Sequence, residues 1–152
     1  MSDIYAKLEH MGITLPPLAV PAAAYVPFVK TGNLLFLSGH LPKRDGKVVT
    51  GQLGTDMDTA TGAEAARLAA IELLGTLHVA AGGLQNIKRV VKVLSLVNSS
   101  PTFTEHHLVT NGASQLFGEV FGADVGAHAR SAFGVAQLPM GACVEVEMIV
   151  EV

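Results

Sequence analysis

The sequence predicts an α+β fold in which two main helices cover one face of a mixed, six-stranded sheet. Short apolar runs end at Gly- or Pro-containing turns, as strands do, and two longer segments, 58–81 and 104–121, have the composition and spacing of helices. The 152 residues make one domain, since domains usually contain roughly 100–200 residues. Hydrophobic residues form 49% of the chain and charged residues 15%, which excludes a disordered protein.

Residues 1–23 are predicted to form a short helix followed by an extended connector. Ser2 is a residue type that caps helices, and three apolar residues follow it at helical spacing before Gly12: Ile4, Leu8 and Met11. Proline lacks an N–H and fixes φ, so the next segment cannot continue the helix; its prolines are Pro16, Pro17, Pro21 and Pro27.

Two turns predict the first strands of the sheet. Apolar runs at 25–30 and 34–39 flank a Gly-containing turn at 31–33, which is typical of a β-hairpin. A second turn at 43–46 leads into a short third strand at 47–50.

Both main helices carry recognisable signals. The helix at 58–81 has Asp58 or Thr59 as its N-cap and ends at Gly82-Gly83. The second helix contains Gly112, and a glycine inside a helix costs about 1 kcal/mol relative to alanine. We therefore expect close packing or the approach of another backbone at Gly112.

Three further strands are predicted at 90–97, 130–137 and 143–152. A turn at 138–141 separates the last two, which predicts that they pair as a closing hairpin.

The strand faces bear on quaternary structure. In the strands at 34–37 and 90–94, the residues that point to one face of the sheet and those that point to the other are both largely apolar. Both faces of the sheet should therefore be buried. Two helices can cover one face, which predicts that a second copy of the chain covers the other. The alternative is a solvated face that carries scattered apolar residues.

Charge and cysteine content exclude several classes of protein. The net charge of −3 gives no general attraction for nucleic acid or anionic lipid. The single Cys143 cannot form an internal disulfide, which indicates a reducing compartment. The chain lacks a signal-peptide pattern at its start. Glu72 and His78 interrupt its most hydrophobic long stretch, so that stretch does not suit a membrane span. We therefore expect a cytoplasmic protein without a membrane partner.

No metal or cofactor motif is found in the sequence. His106 and His107 are adjacent on a predicted helix and point about 100° apart, which does not suit a shared metal. Glycine-rich phosphate-binding patterns are absent from the sequence. We expect neither a bound metal nor an organic cofactor.

Two charged residues are candidates for chemistry. Glu145 lies on the polar face of the last strand, and a carboxylate buried there by a partner subunit would need a cation, a donor or a ligand. Arg130 begins the preceding strand, and guanidinium can hold a carboxylate by two parallel hydrogen bonds. The ordinary interpretations are a solvated strand face and a surface arginine.

Four segments together carry a resemblance: Leu37-Ser38-Gly39-His40-Leu41-Pro42, the helix with Asn111, 129–139 and 144–147. They resemble the Rid family, which is also called the YjgF-like or L-PSP endoribonuclease family. The resemblance runs from about residue 25 to the C-terminus. The N-terminal helix and the segment 111–114 look like those of a divergent subgroup.

The resemblance implies a chorismate mutase-like fold and a homotrimer with a central β-barrel and clefts between subunits. In the deaminating members, the arginine that matches Arg130 binds the carboxylate of a 2-imino acid or enamine. The glutamate that matches Glu145 positions the water that attacks the imine carbon. The residues that match Ser38, Gly39 and Asn111 line the same cleft.

Two positions depart from the archetypal deaminases. The archetypal deaminases carry a tyrosine after a proline near the first strand, whereas this chain has Phe28 after Pro27. They often carry a cysteine two residues after the arginine, whereas this chain has Ala132. Three functions follow, in this order: an imine or enamine deaminase that needs no cofactor, a non-catalytic module that binds small carboxylates, and an endoribonuclease.

Overall fold

The computed structural model describes residues 3–152 and contains three α-helices and seven strands in that part of the chain. The helices are α1 (Ile4–His10), α2 (Thr59–Ala81) and α3 (His106–Val125). The strands are β1 (Phe28–Thr31), β2 (Leu34–His40), β3 (Lys43–Arg44), β4 (Lys47–Val48), β5 (Arg89–Asn98), β6 (Ala129–Val135) and β7 (Val144–Glu151).

The main sheet has five strands rather than the predicted six, in the order β1-β2-β7-β5-β6. It is mixed, because β5 and β6 run parallel while the other neighbours are antiparallel. The strand expected at 47–50 pairs locally with β3 instead. Asp45 and Gly46 both have positive φ, 52° and 75°, which closes a tight two-residue hairpin between β3 and β4.

The predicted closing hairpin is wrong, because β7 lies between β2 and β5 and does not pair with β6. Val144, Val146 and Val150 of β7 are fully buried, as befits a central strand. The chain reaches β6 from β5 through α3, which is the connection that parallel neighbours require.

The helix ends follow local capping chemistry. The α1 helix begins after Asp3, whose carboxylate accepts the Tyr5 N–H, while Ser2 lies outside the described residues. Asp58 caps α2 by accepting the Thr61 N–H, and Gly82 ends this helix at φ 67°, both as predicted.

Both main helices pack on one face of the sheet, and Gly112 marks their contact. A Cβ at Gly112 would overlap the backbone carbonyl of Ala63 in α2, so only glycine allows the two helices to lie this close. The close approach expected from the sequence is confirmed there. No helix of the described chain is long and apolar enough to cross a membrane.

The opposite face of the sheet is covered by neither α2 nor α3. Phe36 pairs with Ile149, and Leu96 pairs with Phe133, which places these side chains on that face. Phe36 is 41% exposed and Phe133 is 46% exposed. We call this surface the open face.

Candidate active site

Glu145 lies on the open face, beside a bulge in β2. Its neighbours Val144 and Val146 point into the core, so the alternation of the strand directs Glu145 outward. The carboxylate lies against Gly39, where a Cβ would overlap Oε1. Glycine at position 39 therefore makes room for the carboxylate, and we call Ser38, Gly39 and Glu145 the Glu145 half-site.

The surroundings of Glu145 disfavour its charge. Partial burial raises the pKa of this carboxyl above its ordinary value, and the negative charge of Glu147 raises it further. A carboxyl group with a raised pKa is better suited to accept and return a proton near neutral pH.

Arg130 lies on the other side of the sheet, half-buried between β6 and α3. Its Nη1 donates to Asn111 Oδ1 at 2.8 Å and to Ser114 Oγ at 3.3 Å. Its Nη2 donates to the carbonyl of His107 at 3.1 Å. These residues fix the plane of the guanidinium, and we call Arg130, Asn111 and Ser114 the Arg130 half-site.

The guanidinium retains donors for a ligand. Arginine has five N–H bonds, and the three contacts within the described chain use three of them. Two N–H bonds are the number that a bidentate carboxylate takes. The arrangement can therefore hold one small carboxylate without giving up its own supports.

His128 supports this half-site from behind. Its Nδ1 lies 2.7 Å from the carbonyl oxygen of Gly126, and its Nε2 lies 2.9 Å from Ser114 Oγ. Since a carbonyl only accepts, Nδ1 donates to Gly126, and Nε2 shares a hydrogen bond with the Ser114 hydroxyl. Ser114 then keeps a lone pair for the N–H of Arg130.

A single chain does not bring Arg130 and Glu145 together. Arg130 stands opposite Val93 of β5, whose side chain is buried beneath the helices, whereas Glu145 stands opposite Leu96 on the open face. One strand separates β6 from β7, so the two backbones lie about 10 Å apart across the sheet. Any site that uses both side chains needs two copies of the chain.

Comparison with known proteins identifies the family. The family model described as "YjgF/chorismate_mutase-like, putative endoribonuclease" matches residues 5–152. The chain belongs to the YjgF/Rid family. The resemblance expected from the sequence and the chorismate mutase-like fold are therefore confirmed.

The relatives place the chain within this family. It is 50% identical to Protein TCP17 of Trypanosoma cruzi over 97% of this chain and 93% of that one. It is 46% identical to Atu1372 of Agrobacterium tumefaciens, a protein of unknown function, with a TM-score of 0.90 over 98% of this chain and 92% of that one. These relatives form a divergent subgroup of the YjgF/Rid family, as expected.

The fold is also shared with a protein of lower sequence identity. TdcF of Escherichia coli, solved with bound serine, is 24% identical, with a TM-score of 0.62 over 91% of this chain and 94% of that one.

The structure separates the two residues at which the sequence departs from other family members. Ala132 follows Arg130 on the same side of β6 and stands opposite the buried Ser95. Phe28 stands opposite Leu37 and packs against the hydrophobic core, so within one chain it is not part of either half-site.

Sequence reasoning missed Tyr25, which lies three residues before Phe28. Tyr25 is 49% exposed and lines a cavity of about 560 Å³ together with Gly39 and Lys43. The sequence carried no signal for Tyr25, because its position depends on a contact made only on folding: Ser38 Oγ donates to the Val26 carbonyl at 2.6 Å and holds the preceding segment at the bulge.

Other cavities lie away from both half-sites. One of about 830 Å³ lies beneath α1 and is lined by Tyr5, His78 and Phe121 among others. The described residues contain no group of three or more His, Cys, Asp or Glu side chains placed to hold a metal.

Proposed function

We propose that this protein is a deaminase that hydrolyses 2-imino acids, or their enamine tautomers, to 2-keto acids and ammonia. The observation that carries the proposal is the guanidinium of Arg130, fixed by Asn111 and Ser114 with two N–H bonds left over. That geometry suits a small carboxylate, and carboxylate is the group that every 2-imino acid carries. The serine found in TdcF is also a small molecule with a carboxylate.

The two half-sites face each other between subunits of a homotrimer. Arg130 and Glu145 lie on opposite sides of the sheet, so each cleft combines Arg130 of one copy with Glu145 of the next. The open face also carries the exposed Phe36 and Phe133, which a second copy would remove from water. The family resemblance favours three copies around a central barrel.

The reaction needs positioning and proton transfer rather than a cofactor. A water oxygen adds to the imine carbon while one of its protons passes to Glu145 and from there to the imine nitrogen, which gives a carbinolamine. Glu145 then takes the hydroxyl proton and passes it to the same nitrogen, so that the C–N bond breaks, ammonia leaves and the keto group forms. The raised pKa of Glu145 suits this exchange.

A non-catalytic carboxylate-binding module is the second candidate. The Arg130 half-site is complete for binding without Glu145, and Ala132 brings no reactive group to that strand. The endoribonuclease activity in the family description has less support here, because the net charge of −3 does not favour a polyanion.

The proposal can be tested by adding purified protein to an amino-acid oxidase that generates the imine in the same solution and measuring how fast the keto acid forms. Keto-acid formation should accelerate, and Arg130→Ala should lower kcat/KM by at least about a hundredfold, because two charge-assisted hydrogen bonds are lost. Arg67→Ala is the matched control, since Arg67 makes an exposed ion pair with Glu119 at 3.0 Å.

Three outcomes separate the candidates. No acceleration, together with Arg130-dependent binding of a 2-keto acid in calorimetry, favours the binding module. Acceleration that Arg130→Ala leaves intact contradicts the deaminase. RNA cleavage that depends on Arg130 and Glu145 would favour the nuclease.

A further inference from the structure

His40 is a buried polar residue at the β2 bulge, on the side of the sheet opposite Glu145. It is 5% exposed and packs against α2. Its Nδ1 lies 2.6 Å from the carbonyl oxygen of Ser38, and its Nε2 lies 2.7 Å from Thr76 Oγ1 of α2. Both ring nitrogens therefore have a partner.

The partners define the protonation of the ring. A carbonyl oxygen only accepts, so Nδ1 carries a proton and donates to Ser38. Burial lowers the pKa of His40; the hydrogen bond to the Ser38 carbonyl opposes this and the nearby charge of Lys43 adds to it, and the net lowering favours the neutral ring. Nε2 then accepts the hydroxyl proton of Thr76, and one imidazole ties the bulge of β2 to α2.

This tie sets the orientation of the Ser38–Gly39 peptide. The peptide is trans and planar, so its C=O and N–H point in opposite directions. The C=O points to the buried ring of His40, and the Gly39 N–H consequently points to the side where the Glu145 carboxylate lies over Gly39. The β2 register shifts between Leu37 and His40, which frees this peptide from regular pairing.

We propose that His40, braced by Thr76, is a positioning residue that turns the Gly39 N–H into the cleft, where it donates to an oxygen of the substrate's carboxylate. This inference rests on the proposed function. It gives the buried histidine a role at the site without contact with the substrate.

Thr76→Val tests the inference with little change in shape. It removes the hydroxyl that braces His40, so KM for the imine and Kd for pyruvate, a small 2-keto acid, should both rise about tenfold, the value of one charge-assisted hydrogen bond. The kcat should change little, since the lost contact serves binding. Thr76→Ser should restore both constants, because serine keeps the donor.

Thr110→Val is the matched control. Thr110 is also a fully buried helical threonine, but its hydroxyl donates to the carbonyl of His106 within its own helix at 2.9 Å. A general effect of losing a buried hydroxyl would lower the melting temperature of both valine variants. Only the positioning role raises KM and Kd in Thr76→Val alone.

Each result decides a different claim. If wild-type protein binds pyruvate, Arg130→Ala does not, and Thr76→Val binds it as tightly as wild type, the role of His40 is refuted and the proposed function stands. If wild-type protein neither binds pyruvate nor accelerates imine hydrolysis, the proposed function fails and the role of His40 fails with it.

Discussion

Mixing two inactive variants should restore activity if each cleft is shared by two copies. Arg130→Ala removes the carboxylate anchor, and Glu145→Gln removes the proton acceptor, so neither variant alone should accelerate imine hydrolysis. Because the two side chains lie on opposite sides of one sheet, a mixed oligomer can place the intact arginine of one copy beside the intact glutamate of another.

The size of the recovery follows from a ring of three copies. When the two variants assemble at random and in equal amounts, half of the arginines and half of the glutamates are intact. The chance that one cleft holds both is one half times one half, so about a quarter of the wild-type rate should return. A same-chain site would regain nothing, since every chain lacks one group.

Co-expression of the two variants followed by the oxidase-coupled assay measures this recovery. Mass spectrometry under native conditions establishes that mixed oligomers are present. Variants purified separately and then combined without subunit exchange are the control and should stay inactive. Mixed oligomers without activity would refute the shared cleft.

Three other features make testable predictions. Gly112→Ala should lower the free energy of unfolding by about 1–3 kcal/mol in denaturant titrations, because its Cβ meets a backbone carbonyl, whereas Gly118→Ala, with open space around it, should not destabilise. Glu147→Gln should shift the acidic limb of the pH–rate profile to lower pH, since removing its negative charge eases ionisation of Glu145. Cys143, buried with a pKa raised to about 11, should resist iodoacetamide at pH 8 until the protein unfolds.

Opposite results would contradict these arguments. Equal stability of the two alanine variants would mean that the helices separate without cost. An unchanged acidic limb would mean that the glutamate pair does not control the rate. Rapid alkylation of the folded protein would mean that the thiol is reached without unfolding.

Local signals predicted most of the elements. A cap such as Asp58 and a left-handed stop such as Gly82 act over a few residues, so their effect is visible in the sequence. Strand order depends on contacts between distant segments, which is why the place of β7 between β2 and β5 was missed. The pairing of β3 with β4 was also missed. A strand that pairs only with its neighbour in a hairpin has the same composition as a strand of the main sheet, so the sequence does not distinguish them.

In the candidate site, too, some residues could be predicted from the sequence and others only from contacts made on folding. Arg130 and Glu145 were predicted as candidates because charged residues near apolar strands are conspicuous. Ser114 and His128 were missed, since a serine or histidine has no role until folding brings it to a partner. Tyr25 was missed because its place depends on how the chain before β1 meets the bulge.

Each half-site is held by the same kind of hydrogen-bonded histidine, whose hydroxyl partner lies on a different helix. In each case Nδ1 donates to the carbonyl two residues earlier and Nε2 meets a helical hydroxyl, Thr76 of α2 for His40 and Ser114 of α3 for His128. The distance between α2 and α3 is set where Gly112 meets the other helix. A larger residue at Gly112 should therefore move Ser114 and the arginine it supports, so its effect should appear in ligand affinity as well as in stability.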